Sequence, residues 1–178
     1  MLVRPAAPGD IEAVADIYAH YATKTLVTFD ETPRSTDDWL RLLKDRNDRG
    51  LPFLVADLAD LAGPPVAGYA YAAPWRPKPA YRHTAEDTVY LAPGHTGRGL
   101  GTALLDALLR ESAATGIRRM IAVIADTGDG GSVALHRRLG FTEAGRLTAV
   151  GHKHGRWIDT LLMERALDTG TNTNTSER

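Results

Sequence analysis

Pro93-Gly94-His95-Thr96-Gly97-Arg98-Gly99-Leu100-Gly101-Thr102 is the stretch on which the fold class turns. Glycines at 94, 97, 99 and 101 let the backbone enter left-handed conformations and turn several N–H groups towards one point. Just upstream, Thr88–Leu91 reads as a strand stopped by Pro93. Just downstream, Leu100, Leu104, Leu105, Leu108 and Leu109 mark a helix that ends near Gly116. A glycine turn between strand and helix start suits a phosphate or pyrophosphate, because free N–H groups meet the positive end of the helix there. Two common nucleotide signatures fail. Gly94 and Gly99 have P-loop spacing, but Leu100 stands where Lys is required, and Thr102 and Leu104 break both registers of the dinucleotide fingerprint. The loop alone leaves open a glycine-rich turn that holds nothing.

Outward from this loop the chain alternates strand and helix. Met120–Ala125 is almost wholly apolar and reads as a strand buried on both faces. Asp126–Gly131 leads into a short helix stopped by Gly140, and strands follow at about 142–150 and 156–163. In the other direction, Leu2-Val3-Arg4 is a short strand, and Asp10 is placed to cap a helix bearing Ile11, Val14, Ile17, Tyr18 and Tyr21. Ser35-x-x-Asp38 resembles a capping box ahead of Trp39, Leu42 and Leu43. Leu51–Ala56 and Val66–Ala73 form a hairpin joined by a loop with Gly63-Pro64-Pro65. Three prolines make 74–84 an extended loop, crowded with aromatic and cationic side chains. The pattern predicts one α/β domain with a mixed sheet over residues 1–167. The polar tail from Asp168 to Arg178 is expected to be disordered.

Composition narrows the function. The 178 residues carry 21 Lys plus Arg against 22 Asp plus Glu, so the basic footprint of a nucleic-acid or membrane-surface binder is missing. Zero Cys excludes a disulfide framework, a thiolate nucleophile and a Cys zinc site. No apolar run is long enough for a membrane span, and MLVRPAAPGD lacks the layout of a secretion signal, so a cytoplasmic location is expected.

The loop resembles that of the GNAT family of N-acetyltransferases, whose coenzyme A loop reads Gln/Arg-x-x-Gly-x-Gly/Ala. Residues 96–101 depart from it only at Thr96. A second family element, Asn-x-x-Ala/Ser-x-x-Leu-Tyr-x-x-x-Gly-Phe, is met by Ser132, Leu135, Gly140 and Phe141, with Asp129 for Asn and His136 for Tyr. Five further stretches are similar to the phosphinothricin acetyltransferase subfamily: residues 16–21, 69–76, 86–91, 135–141 and 151–159. His136 is usual in that subfamily. Together they carry the resemblance over about residues 2–167. It implies the GNAT fold, a mixed, mostly antiparallel sheet flanked by about four helices. It also implies acetyl-CoA as cosubstrate, no metal, and a homodimer.

The resemblance assigns candidate roles. Glu86 falls at the subfamily's base; a carboxylate there can take the ammonium proton if burial raises its pKa. Asp87, pointing to the other face of its strand, serves as the control. His136 is a candidate proton donor to the departing thiolate, against the reading of a hydrogen-bonded core histidine. Val89, Tyr90 and Leu91 would pair through their backbone with the pantetheine amides and polarise the thioester. Gly97, Arg98, Gly99, Leu100, Gly101 and Thr102 would hold the pyrophosphate, with Asp129 and Ser132 on the pantetheine arm. As a carboxylate, Asp129 lacks the amide donor of Asn, which predicts weakened coenzyme affinity. Trp75, Arg76, Pro77, Tyr81 and Arg82 would line the acceptor site, with Phe29 and Glu31 across from them. Lys153, His154 and Trp157 would serve that pocket or a subunit contact. His152-x-His154 lacks an evident third metal ligand.

The activity expected is acetyl transfer to the α-amino group of a small amino acid or analogue, of the phosphinothricin or methionine sulfone and sulfoximine type. Attack is direct, because the chain has no Cys and no Ser placed beside a base. Two alternatives stay open. One is a non-catalytic acetyl-CoA sensor, favoured by Thr96 and Asp129 and opposed by Glu86. The other is an acetyltransferase for a different amine or a protein N-terminus, which needs an open groove.

Overall fold

The β-strand alternation of residues 53–56 divides the molecule into two layers. Phe53 and Val55 point to one face of the sheet, where Ile11, Val14, Ile17, Tyr18, Trp39 and Leu43 cover them. Leu54 and Ala56 point to the other, among Leu100, Leu104, Leu105 and Leu108. The next strand repeats the division, with Tyr69 and Tyr71 on the first face and Ala70 and Ala72 on the second. Large rings fill the first interface and leucines packed on alanines fill the second.

The structure is a computed structural model that describes residues 1–58 and 66–168. Its elements are β1 (Leu2–Pro5), α1 (Ile11–Lys24), α2 (Thr36–Asp48), β2 (Phe53–Asp57), β3 (Val66–Pro74), β4 (Thr84–Leu91), α3 (Leu100–Ala114), β5 (Arg119–Ala125), α4 (Gly131–Arg138), β6 (Thr142–Lys153) and β7 (Arg156–Ala166). The seven strands lie in the order β1-β2-β3-β4-β5-β7-β6. Every neighbouring pair is antiparallel except β4 and β5. Helices α1 and α2 lie on one face, α3 and α4 on the other. The mixed sheet and four flanking helices expected from the sequence are present. The loop Gly63-Pro64-Pro65 and the tail beyond Asp168 lie outside the described residues.

Local rules explain most of the elements. Ser35 accepts from the Asp38 N–H at 3.1 Å while the Asp38 carboxylate accepts from the Ser35 N–H at 3.3 Å, so the capping box forms. Asp10 differs from expectation. It precedes α1, but its carboxylate accepts from the Ala7 N–H at 2.8 Å and pairs with Arg4 at 2.7 Å, so its side chain closes the preceding turn rather than capping the helix. Strand β4 begins at Thr84 rather than Thr88, which puts Glu86 inside the strand. Strand β5 is also corrected. Its alternate side chains are open, Val123 being 42% exposed, because no helix among the described residues covers that face. What lies along it is the cavity described next.

Candidate active site

Strands β4 and β5 start in register and then part. They pair only over Thr84–Arg119, Ala85–Met120 and Glu86–Ile121. Beyond Glu86, β3 holds β4 through the pair Gly68–Leu91, and β7 holds β5 through the pair Ala125–Thr160. The two halves of the sheet diverge, and the edge of β4 facing the gap keeps backbone groups without a strand partner. A cavity of about 800 Å³ occupies the gap and reaches both faces of the sheet.

The glycine loop closes one end of it. Gly94, Gly97 and Gly99 all have φ between 75° and 82°, and Gly99 is the N-cap of α3. A Cβ at Gly97 or Gly99 would meet nothing within 4 Å, so what these positions require is the backbone conformation. Gly101 is different, since a Cβ there would lie 3.3 Å from Leu135 of α4. Small size at 101 lets the two helices close on the gap. The first N–H groups of α3 have no partner within the helix and lie at its positive end. Gly97, Gly99, Gly101 and Thr102 line the cavity, as do Thr96, Val89, Tyr90, Leu91, Asp129 and Ser132. Arg98 does not, and the Leu100 side chain is core, 3% exposed. Asp129 accepts from the Gly131 N–H at 2.9 Å at the start of α4.

Glu86 and Asp87 both line the cavity, from opposite faces of β4. Burial pushes the Glu86 carboxyl above its ordinary pKa, the charge of Asp87 adds to that, and Arg76 opposes it. Asp87 is no idle neighbour. Its Oδ2 lies 2.8 Å from His136 Nε2. The ring's Nδ1 lies 2.7 Å from the Ser132 carbonyl, and His136 is 3% exposed. Both nitrogens of His136 are therefore engaged by protein groups.

On the acceptor side the structure rearranges the sequence candidates. Phe29 lines the cavity, but Trp75, Arg76, Pro77, Tyr81, Arg82 and Glu31 do not. The Arg76 guanidinium stacks 4.5 Å over Trp75, and its charge reaches Glu86. Tyr81 is 44% exposed, and Arg82 folds back onto the Pro79 carbonyl. Tyr18, Thr28, Asp30, Arg34 and Tyr71 line that end instead. Tyr18 lies at core spacing in the sequence, and only its polar tip hinted at more: its hydroxyl reaches Thr28 and Asp30. Lys153, 1% exposed, donates to the carbonyls of Thr28 and Asp30 at 2.8 and 2.7 Å, which places the loop carrying these residues. Trp157 is 69% exposed, its ring tilted against that of His152 at 4.8 Å between centres. Among the described residues no group of three or more His, Asp or Glu is arranged to hold a metal.

A parallel pair that splays beside a glycine turn on a helix start agrees with the comparison with known proteins. The acetyltransferase (GNAT) family model matches residues 12–141. The chain belongs to the GNAT acetyltransferase family. Among GNAT relatives it is 40% identical over 171 residues to the phosphinothricin N-acetyltransferase of Alcaligenes faecalis, covering 96% of this chain and 85% of that one. It is 38% identical over 166 residues to the L-methionine sulfoximine/L-methionine sulfone acetyltransferase of Pseudomonas aeruginosa, covering 93% and 94%. A solved GNAT structure, a phosphinothricin acetyltransferase from Sinorhizobium meliloti in complex with acetyl-CoA, superposes with a TM-score of 0.89 at 39% identity, covering 99% of this chain and 93% of that one.

Proposed function

We propose that the protein is an acetyl-CoA-dependent N-acetyltransferase acting on the α-amino group of a small amino acid or analogue, with phosphinothricin and methionine sulfone or sulfoximine as the acceptor types. The observation that carries this reading is Glu86, a desolvated carboxyl on β4 at the point where β4 and β5 part.

In this reading the pantetheine arm lies in the gap against the backbone of residues 89–91, and the pyrophosphate sits on residues 97–102 at the start of α3. The acceptor enters from the α1–α2 face. Glu86 takes the proton of the ammonium, directly or through one water. The freed nitrogen attacks the acetyl carbonyl carbon, a backbone N–H of β4 stabilises the developing oxyanion, and the C–S bond breaks to release the CoA thiolate while the nitrogen gives its surplus proton to water. One such donor is typically worth about 3–4 kcal/mol of barrier. His136 has no free nitrogen with which to protonate the thiolate, so its role here is to hold Asp87 and the cavity wall. The released thiolate takes its proton from water, which suits a thiol whose pKa is near that of free Cys.

A cytoplasmic homodimer belongs to the same reading. The dimer is supported by β6, an edge strand that leaves Leu147 and Val150 47% and 54% exposed. Sedimentation at micromolar protein tests that part.

The test of the reaction is CoA thiol release from acetyl-CoA against phosphinothricin, methionine sulfone, methionine sulfoximine and the common amino acids. Turnover on these analogues that falls by roughly 10²–10⁴ in Glu86→Gln supports the reading. Acetyl-CoA binding with no release for any amine overturns it in favour of a sensor.

A further inference from the structure

Arg34 has no part in the reaction as described above, yet it lines the same cavity as Glu86. It precedes the N-cap Ser35 of α2 and is half-buried. Its guanidinium carbon lies 5.6 Å from the centre of the Tyr18 ring and 5.4 Å from that of Trp39, with the Tyr71 hydroxyl beside it. Its carboxylate neighbour is Asp30, whose Oδ2 is 3.7 Å away, beyond hydrogen-bond length. That oxygen already accepts the Tyr18 hydroxyl. The result is a planar cation held by two aromatic rings, with donor capacity its neighbours do not use up.

Its position suits a ligand that also reaches Glu86. Tyr71 pairs with Thr88 across β3 and β4, two residues beyond Glu86 and on the same face of the sheet. Arg34, beside the Tyr71 ring, therefore borders the cavity on the same face of the sheet as Glu86. An amino acid whose nitrogen is held near Glu86 has a carboxylate or phosphinate to direct towards Arg34 within the one cavity. Among the described residues lining the cavity, the arginines are Arg34 and Arg138, and Arg138 belongs to α4 on the opposite face. The side that receives the acceptor therefore has one guanidinium fork in its wall.

We propose that Arg34 anchors an anionic group of the acceptor, carboxylate or phosphinate, through a bidentate contact, and so selects anionic amines over neutral or cationic ones. The inference rests on acetyl transfer in this cavity and names the acceptor class for it. The Trp75-Arg76-Pro77 segment keeps a different part, setting the field at Glu86.

The experiment compares wild type, Arg34→Gln and Arg34→Lys on methionine sulfone, phosphinothricin and the α-carboxamide of each. Arg34→Gln is expected to raise KM for phosphinothricin, and for methionine sulfone too where the α-carboxylate is the group held, at least tenfold while KM for acetyl-CoA stays unchanged. Where Arg34 holds the α-carboxylate, the carboxamides, already lacking that anion, keep their kcat/KM in Arg34→Gln. Where it holds the distal anion, the loss falls on phosphinothricin and its carboxamide alike and spares methionine sulfone. Either pattern supports the inference. Equal loss on all four acceptors, or no loss on any, overturns it. A Lys variant that matches wild type on the acids overturns the bidentate contact, and that variant also serves if Arg34→Gln does not fold. If wild type acetylates none of the four, acetyl transfer to this class fails, and calorimetry with CoA-loaded protein then decides the present point. Binding of an acid that is lost in Arg34→Gln supports it, and absence of binding to wild type overturns it as well.

Discussion

His136 Nε2 lies 2.8 Å from Asp87 Oδ2, and the two side chains are 4% and 3% exposed. Burial works against the imidazolium, but the hydrogen bond and charge of Asp87, with the Ser132 carbonyl, overcome it and raise the pKa above its ordinary value of 6.5. A group whose pKa is raised on folding adds stability below its unfolded pKa and loses it as pH climbs through the folded one. The melting temperature is therefore expected to fall from about pH 6.5 upward. Asp87→Asn should flatten that slope and lower stability by about 1–3 kcal/mol, since the buried imidazole then stays neutral and its charge-assisted hydrogen bond is lost. Thermal melts of both proteins across that range, at fixed ionic strength, check this. An unchanged slope in Asp87→Asn would mean that the pair does not titrate as an ion pair.

Glu86 shows the opposite balance. Its carboxyl is raised by burial first and by Asp87 second, so folding disfavours its charged form. The acid limb of kcat/KM is then expected above the ordinary carboxylate range, because the base works only once deprotonated. The sign for stability is nevertheless the same as for His136, because both pKa values are raised on folding. Stability associated with the protonated form disappears as pH rises past the unfolded value. Glu86→Gln, which lacks the base, should thus melt no lower than wild type near pH 8, with an advantage that grows from the unfolded carboxyl's pKa and is complete above the folded one. A pH–rate profile paired with melts of both proteins measures the two effects independently.

The parts of the site that depend on short-range geometry were legible in the sequence. The turn at 97–102 needs glycine at fixed positions next to a strand and a helix, and the structure has positive φ at Gly97 and Gly99. Strand β5 was harder to read. An apolar strand facing a cavity has the composition of one packed under a helix, so the open side at Val123 left no mark. The acceptor wall was harder still. Arg34 and Asp30 reach the cavity because Lys153, more than 100 residues away, holds the carbonyls of Thr28 and Asp30. Local pattern carries no trace of such a contact. The crowding of cations and aromatics at 75–82 marked a loop whose Tyr81 and Arg82 face solvent, while only the charge of Arg76 reaches Glu86.

Asp129 stands where the family motif has Asn, and its Oδ1 accepts the Gly131 N–H at 2.9 Å as α4 begins. Asn can keep that acceptor and adds an N–H₂ donor on the same planar group. Asp129→Asn also removes a negative charge from a cavity whose proposed ligand carries phosphates. The variant is expected to bind acetyl-CoA several-fold more tightly, with kcat on saturating acceptor nearly unchanged. Calorimetric titration with acetyl-CoA measures this. Weaker binding would show that the carboxylate matters more for capping the turn than for facing the coenzyme.

Lys153 and Gly151 hold the α1–α2 loop from the end of β6. The Lys153 ammonium donates to two loop carbonyls, and burial lowers its pKa. A Cβ on Gly151 would overlap the Phe29 ring. Loosening this clamp moves Phe29, Asp30 and Arg34 together but leaves the glycine loop on the far side of the cavity alone. Lys153→Met abandons two carbonyls, for a stability loss of about 1–3 kcal/mol each if they stay dry. Gly151→Ala displaces Phe29 without touching a hydrogen bond. Both variants are expected to raise KM for the acceptor several-fold while KM for acetyl-CoA stays within about twofold, because a positional error on one substrate's wall costs binding of that substrate first. Steady-state kinetics with each substrate varied in turn reads the split. Equal rises in both KM values would show that the loop supports the whole cavity rather than its acceptor end.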